Sequence, residues 1–119
     1  MVVAQRVLLV DDHDDARELL ADLCEVLGHL VASAATGGAA LELAATFRPT
    51  VAIVDLHLPD IGGFEVAQKL RASSSCPRLI ALSGSTETRS RAIAHGFDDY
   101  VTKPIDAKRL QMLLMGGVT

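Results

Sequence analysis

The chain has 119 residues and a formal net charge of −4, the size of one domain and the wrong sign for non-specific nucleic-acid binding. Hydrophobic residues make up 50% of it and aromatic ones only 3%, so Leu, Val, Ile and Ala must fill a core that at this length buries roughly two thirds of the unfolded surface. Charges interrupt every apolar run well short of the roughly 18 residues of a membrane-spanning helix. The start, "MVVAQRVLLV", has Arg6 in its middle and lacks the basic opening of a signal peptide. Cys24 and Cys76 make no CxxC and no other framework. The expectation is a single domain over 1–119 in a reducing cytoplasm, with free thiols and no membrane or nucleic-acid contact of its own.

Taken in order, "VLLV" (7–10) predicts a strand. "DDARELLADLCEVLG" (14–28) predicts a helix with Ala16, Leu19, Leu20, Leu23 and Leu27 at helical spacing, Asp14 as N-cap and Gly28 as its left-handed end. "LVASA" (30–34) reads as a strand and "GGAALELAATF" (37–47) as a helix with Leu41, Ala44 and Ala45 on one side. "VAIV" (51–54) is a strand, "GGFEVAQKLRA" (62–72) a helix with Phe64, Ala67 and Leu70 in phase, and "RLIAL" (78–82) a strand. "TETRSRAIAHG" (86–96) is a helix poor in large apolar residues and closed by Gly96. "DYVT" (99–102) and "DAKRLQMLLM" (106–115) are the last strand and helix. Five strand–helix units with continuous apolar strands imply a parallel sheet covered on both faces. Right-handed crossovers then favour the (βα)5 flavodoxin-like order 2-1-3-4-5.

Four of the five strands run into polar residues: Asp11–Asp12, Asp55, Ser83 and Lys103–Pro104. In an open parallel α/β sheet those ends share one rim, and ligands bind where the strand order reverses, between strands 1 and 3 here. Asp11, Asp12 and Asp55 should therefore converge, with Ser83 and Lys103 to one side. Three carboxylates so close repel, and Lys103 offsets only one charge. The excess suits a hard divalent cation with oxygen ligands, which points to magnesium. Magnesium points in turn to phosphoryl chemistry, in which a carboxylate can be the nucleophile. "DD" or "KP" alone is a weak signal; all of these in this order, each at a strand end, is a strong one.

The residues Asp11–Asp12, "DLHLPDIGG" (55–63), Ser83 and "YVTKP" (100–104) resemble the receiver domain of two-component response regulators, over about 6–114. The resemblance implies that Asp55 accepts a phosphoryl group from a phosphohistidine on a histidine kinase or a histidine phosphotransfer domain. It implies Asp12 as a direct magnesium ligand, Asp11 as one acting through water, Asp55 itself, and His57 through its backbone carbonyl, with manganese as a substitute metal. Lys103 would pair with the acyl phosphate, Ser83 would hydrogen-bond a phosphate oxygen, Pro104 would follow a cis peptide, and Tyr100 would be the switch aromatic coupled to Ser83. The face of the fourth helix, fifth strand and fifth helix would carry the output. Ala16, Leu19, Pro104 and Ile105 match the surface that docks phosphohistidine bundles, where reversing the charge of Arg17 or placing Glu at 105 should slow transfer. Leu58 stands where methionine is usual, a volume-conserving change. The overall style of "GFDDYVTKPIDAKRL" resembles receivers attached to hybrid sensor kinases, which would make the chain one domain of a larger, membrane-attached protein.

Plainer readings stand beside these. Asp14 and Asp15 are acids favoured by the helix dipole, Asp55 could form an Asx-turn ahead of Pro59, and Ser83 could cap the next helix, as could Ser85. Tyr100 could simply pack. His13, His29, His57 and His95 lack zinc-ligand spacing, and turn geometry after Pro59 accounts for Gly62–Gly63. Among other functions, a phosphatase of the haloacid-dehalogenase type needs a second aspartate where His57 stands, and a cap insertion that is missing. A flavodoxin would face its cofactor phosphate with Asp11 and Asp12. A receiver that never takes phosphate would not need the full acid, serine and lysine set.

Overall fold

The computed structural model describes residues 4–85 and 89–115. Strands β1 (Arg6–Val10), β2 (Leu30–Ala34), β3 (Val51–Asp55), β4 (Arg78–Ser83) and β5 (Asp99–Thr102) alternate with helices α1 (Asp14–Val26), α2 (Gly37–Phe47), α3 (Gly63–Arg71), α4 (Arg89–Ala94) and α5 (Ala107–Leu114). All strands pair in parallel in the order β2-β1-β3-β4-β5, as the alternating pattern predicts. Val10 sits opposite both Ala34 and Val54, so β1 is an interior strand and its carboxyl end meets that of β3.

The strand period of two splits the core into two layers. Leu8, Val10, Ala52 and Val54 face α2, α3 and α4 through Ala40, Ala44, Val66, Leu70 and Ala92. Val7, Leu9, Val51 and Ile53 face α1 and α5 through Leu20, Cys24, Leu110 and Leu113. Because both faces are covered, β3 is buried along its whole length, which is why its sequence is continuous rather than alternating. Small residues carry α2: Ala40 and Ala44 are buried, whereas Ala45, expected on the inner side, is exposed.

Two helix ends differ from expectation. The N-cap of α1 is His13, in extended geometry and without a side-chain cap bond, and Asp14 is the first helical residue. Asp14 instead takes the Arg17 guanidinium at 2.7 Å. The fourth helix is described from Arg89, so the predicted start at 86–88 lies outside the described residues. Gly28 (φ +95) and Gly96 (φ +93) do hold the left-handed turns after α1 and α4. Among the described residues no helix is long and apolar enough to cross a membrane. Both cysteines are free, and burial, then Glu25, pushes the Cys24 thiol up to about 12.

At the rim opposite the strand carboxyl ends, His29 is buried and its Nδ1 accepts the Gln5 N–H at 2.8 Å. That bond fixes a neutral ring with its proton on Nε2, and burial lowers its pKa from 6.5. A depressed folded pKa means the stabilisation is complete above the unfolded value and is lost as pH falls through the folded one. Wild type should therefore lose stability relative to His29→Gln below about pH 6.5, with a slope of at most about 1.4 kcal/mol per pH unit. Urea titrations of both chains between pH 5 and about 7.5 check this; a constant difference would mean that the ring titrates normally.

Candidate functional site

The sheet's switch point holds the acids. Asp11 follows β1 and stays in the sheet, its N–H donating to the Ala34 carbonyl at 3.1 Å. Asp55 is the last residue of β3, and both carboxylates are buried, at 2% and 3% exposure. Asp12, one residue on, is exposed. Carboxylate oxygens of Asp11, Asp12 and Asp55 lie within 4.8 Å of one another.

The two buried acids are held alike. Asp11 Oδ1 accepts the His13 N–H and Asp55 Oδ1 accepts the His57 N–H, both at 2.9 Å and both two residues on. The Asx-turn at Asp55 is thus real, and it fixes the orientation of the carboxylate. The second oxygens face Lys103, whose Nζ donates to Asp55 Oδ2 at 2.8 Å and lies 3.3 Å from Asp11 Oδ2. Partial burial alone would lower the Lys103 pKa, but the hydrogen bond to Asp55 and the charges of Asp55 and Asp11 outweigh it and raise the value above 10.5. The amine is a fixed positive charge at neutral pH.

Lys103 is aimed by its own strand end. Its N–H donates to the Ser83 carbonyl at 2.8 Å, and its bond to Pro104 is cis. Ser83 ends β4, one residue beyond the Leu82 that pairs with Asp55, and is fully buried. Its Oγ accepts the Ser85 N–H at 3.2 Å. Tyr100 is buried at 2% exposure in the layer under α3 and α4, and its hydroxyl donates to the Ser85 carbonyl. Ser83 and Tyr100 are therefore linked through one residue, Ser85.

One buried polar atom among the described residues lacks a hydrogen bond: Asp11 Oδ2. It meets Lys103 at ion-pair distance but not in hydrogen-bonding geometry. A buried carboxylate oxygen left so, beside two further acids, is the donor set that a hard cation completes.

Beside the acids runs a groove of about 330 Å³ between α1 and the loop after β5. Ala16, Leu19, Pro104 and Ile105 all line it, together with Asp11 and Lys103. Leu19 is 59% exposed, whereas Ile105 belongs to the core under α5, so a charge at 105 would perturb folding as well as docking. Arg17 is not a free surface cation either. Its guanidinium donates to the Asp11 carbonyl at 2.8 Å while pairing with Asp14, strapping the acidic loop to α1. Sequence spacing hid that role, because a backbone carbonyl leaves no signature in the sequence.

Fold and site together define a doubly wound α/β domain with an acid cluster and a lysine at its switch point. Residues 7–114 match the family model of the response regulator receiver domain. The transcriptional regulatory protein KdpE of Mycobacterium tuberculosis is 41% identical over 100 residues, covering 82% of this chain and 44% of that protein. The chain spans less than half the length of the transcriptional regulators it matches. Among solved structures, chemotaxis protein CheY4 of Vibrio cholerae superposes with a TM-score of 0.87 at 28% identity, over 95% of this chain and 98% of that one. The receiver domain of a sensor histidine kinase of Pseudomonas aeruginosa, solved with magnesium in its active-site cleft, gives 0.83 at 27% identity over 95% and 96%. The chain belongs to the response regulator receiver domain family, and it is a phosphoacceptor domain of two-component signalling. Relatives include transcriptional regulators, a chemotaxis protein and a sensor-kinase receiver, so they do not single out a hybrid kinase as its parent.

Proposed function

We propose that Asp55 is the phosphoacceptor. The observation that carries this reading is the pairing of buried Asp55 with Lys103 at 2.8 Å, inside a cluster of three acids. A carboxylate oxygen of Asp55 attacks the phosphorus of a phosphoimidazole, a P–O bond forms as the P–N bond breaks, and the imidazole leaves and takes up a proton. His57 N–H and Lys103 fix the nucleophile's two oxygens, so positioning, which dominates phosphoryl transfer, is done before the donor arrives. Lys103 moves no proton; it balances charge on the phosphoryl oxygens, and the buried Ser83 hydroxyl supplies a further donor. Asp11, Asp12, Asp55 and the His57 carbonyl would hold magnesium, or manganese in its place. When bound, that ion neutralises charge gathering on the phosphoryl group.

The switch follows from the same residues. Drawing Ser83 toward a phosphoryl oxygen pulls on Ser85, the acceptor of the Tyr100 hydroxyl. The face made by α4, β5 and α5 is then the element that shifts. The donor is a histidine kinase or a histidine phosphotransfer domain whose helices lie in the groove lined by Ala16, Leu19 and Pro104.

Acetyl phosphate with magnesium tests the acceptor. Intact mass should rise by one phosphoryl group, and peptide mapping should place it on Asp55; no label, or label on another residue, rejects the reading. In the same assay Leu19→Glu should slow transfer from a phosphohistidine donor roughly tenfold, about 1.4 kcal/mol, and leave acetyl phosphate labelling unchanged. If both rates fall together, the groove is not the docking site.

A further inference from the structure

Asp60 lies in the loop between β3 and α3, five residues past Asp55 and with no part in the chemistry above. Its carboxylate reaches back across the fold to α2. Oδ1 accepts the Gly37 N–H and Oδ2 the Gly38 N–H, each at 2.9 Å. Thr36 Oγ1 accepts the Ala39 N–H at 3.1 Å. The open amides of the first turn of α2 are thus closed by two separate segments. That turn carries no acid of its own, so Asp60 supplies the negative charge its dipole favours. Backbone bonds from Gly38, Gly37 and Ile61 hold the Asp60 pKa at about 2.

The approach is close enough to require glycine. A Cβ on Gly37 would lie 2.4 Å from Ile61 Cγ1 and 2.8 Å from Val66 Cγ2. Leu58 and Ile61 pack against the core layer under α2 and α3. The loop from His57 to Ile61 is therefore tied down at its outer end by Asp60 and at its inner end by the His57 N–H on Asp55 Oδ1.

We propose that Asp60 is a positioning residue for phosphoryl capture: by bridging Gly37 and Gly38 it holds the β3–α3 loop so that the His57 amide, and with it the Asp55 carboxylate, is preset. The proposal rests on Asp55 being the phosphoacceptor. Asp60 touches neither metal nor phosphoryl group; it acts through the loop, as outer groups do when they orient a ligand, where loss typically costs about 10- to 100-fold.

The test compares wild type, Asp60→Ala and Asp60→Asn, using beryllofluoride with magnesium as the phosphoryl probe and amide exchange as the structural readout. Asp60→Ala should weaken beryllofluoride binding about tenfold and speed exchange at Gly37, Gly38 and His57 more than at amides across the sheet. Asp60→Asn keeps one acceptor oxygen but no charge, and should fall between. Because its charge is lost as fully as in the alanine variant, equal binding by the two variants would mean that charge alone acts, and would overturn the proposal. Unchanged affinity and unchanged His57 exchange in Asp60→Ala, with only Gly37 and Gly38 exchanging faster, would also overturn it, leaving a local helix cap. Failure of wild type to bind the probe would reject the phosphoacceptor reading and the proposal with it, whereas equal binding by all three chains rejects the proposal alone.

Discussion

Asp11→Asn is expected to stabilise the metal-free chain by about 1–3 kcal/mol while weakening magnesium binding by about 10- to 100-fold. Asp11 is 2% exposed, and its Oδ2 has no hydrogen bond. It shares one lysine with Asp55, and Asp12 lies in the same cluster. Two unit charges about 5 Å apart repel by about 3 kcal/mol at an effective dielectric constant of about 20, and Lys103 offsets only part of that. Asparagine keeps the Oδ1 that accepts the His13 N–H. It puts an amide N–H in place of the oxygen 3.3 Å from Lys103 Nζ, a donor–donor contact that the lost repulsion between the acids has to outweigh. Repulsion is lost, no buried acceptor is stranded, and Lys103 remains on Asp55. Urea unfolding with a chelator present should show the gain. Repeated in excess magnesium, the gain should shrink by about 1.4–2.7 kcal/mol, because the wild-type chain draws more stability from the ion it binds more tightly. A metal-free variant less stable than wild type would mean that Asp11 serves to hold Lys103, and that the acids are not in conflict.

Such conflict is what a sequence reveals at a site and packing alone does not explain. A parallel sheet fixes which rim each strand end reaches. The residues after "VLLV", "VAIV", "LIAL" and "YVT" could therefore be placed together before any coordinate was known, and Asp11, Asp12, Asp55 and Lys103 do meet. Contacts between segments with no period linking them were not legible. Asp60 bonds amides 22 and 23 residues away, and Arg17 grips a backbone carbonyl; neither leaves a spacing to read. The sequence points to an α1 cap one residue too late for a related reason. Asp14 has the right side chain for a cap, but the Asx-turn at Asp11 already commits His13 to that position.

The paired glycines show the same limit and give a second test with a large effect. The sequence predicts a turn requirement at Gly62–Gly63, yet neither has a positive φ. Gly62 is the N-cap of α3 at φ −68 and ψ 153, and a Cβ there would meet nothing within 4 Å. A Cβ on Gly63 would lie 2.6 Å from the Asp55 carbonyl oxygen and 2.8 Å from Leu56 Cα. Those are backbone atoms at the buried carboxyl end of β3, with no flexible side chain that could give way. Gly63→Ala should therefore cost about 3 kcal/mol, the upper end of ordinary overpacking, and should also slow acetyl phosphate labelling, because relief of the clash moves Asp55 itself. Gly62→Ala should stay within about 0.5 kcal/mol of wild type and label at the wild-type rate. Two alanines one residue apart thus separate close backbone approach from turn propensity. Similar losses in both variants would return the pair to a turn requirement, and a Gly63→Ala chain that folds and labels normally would show that α3 does not press on the acceptor's strand.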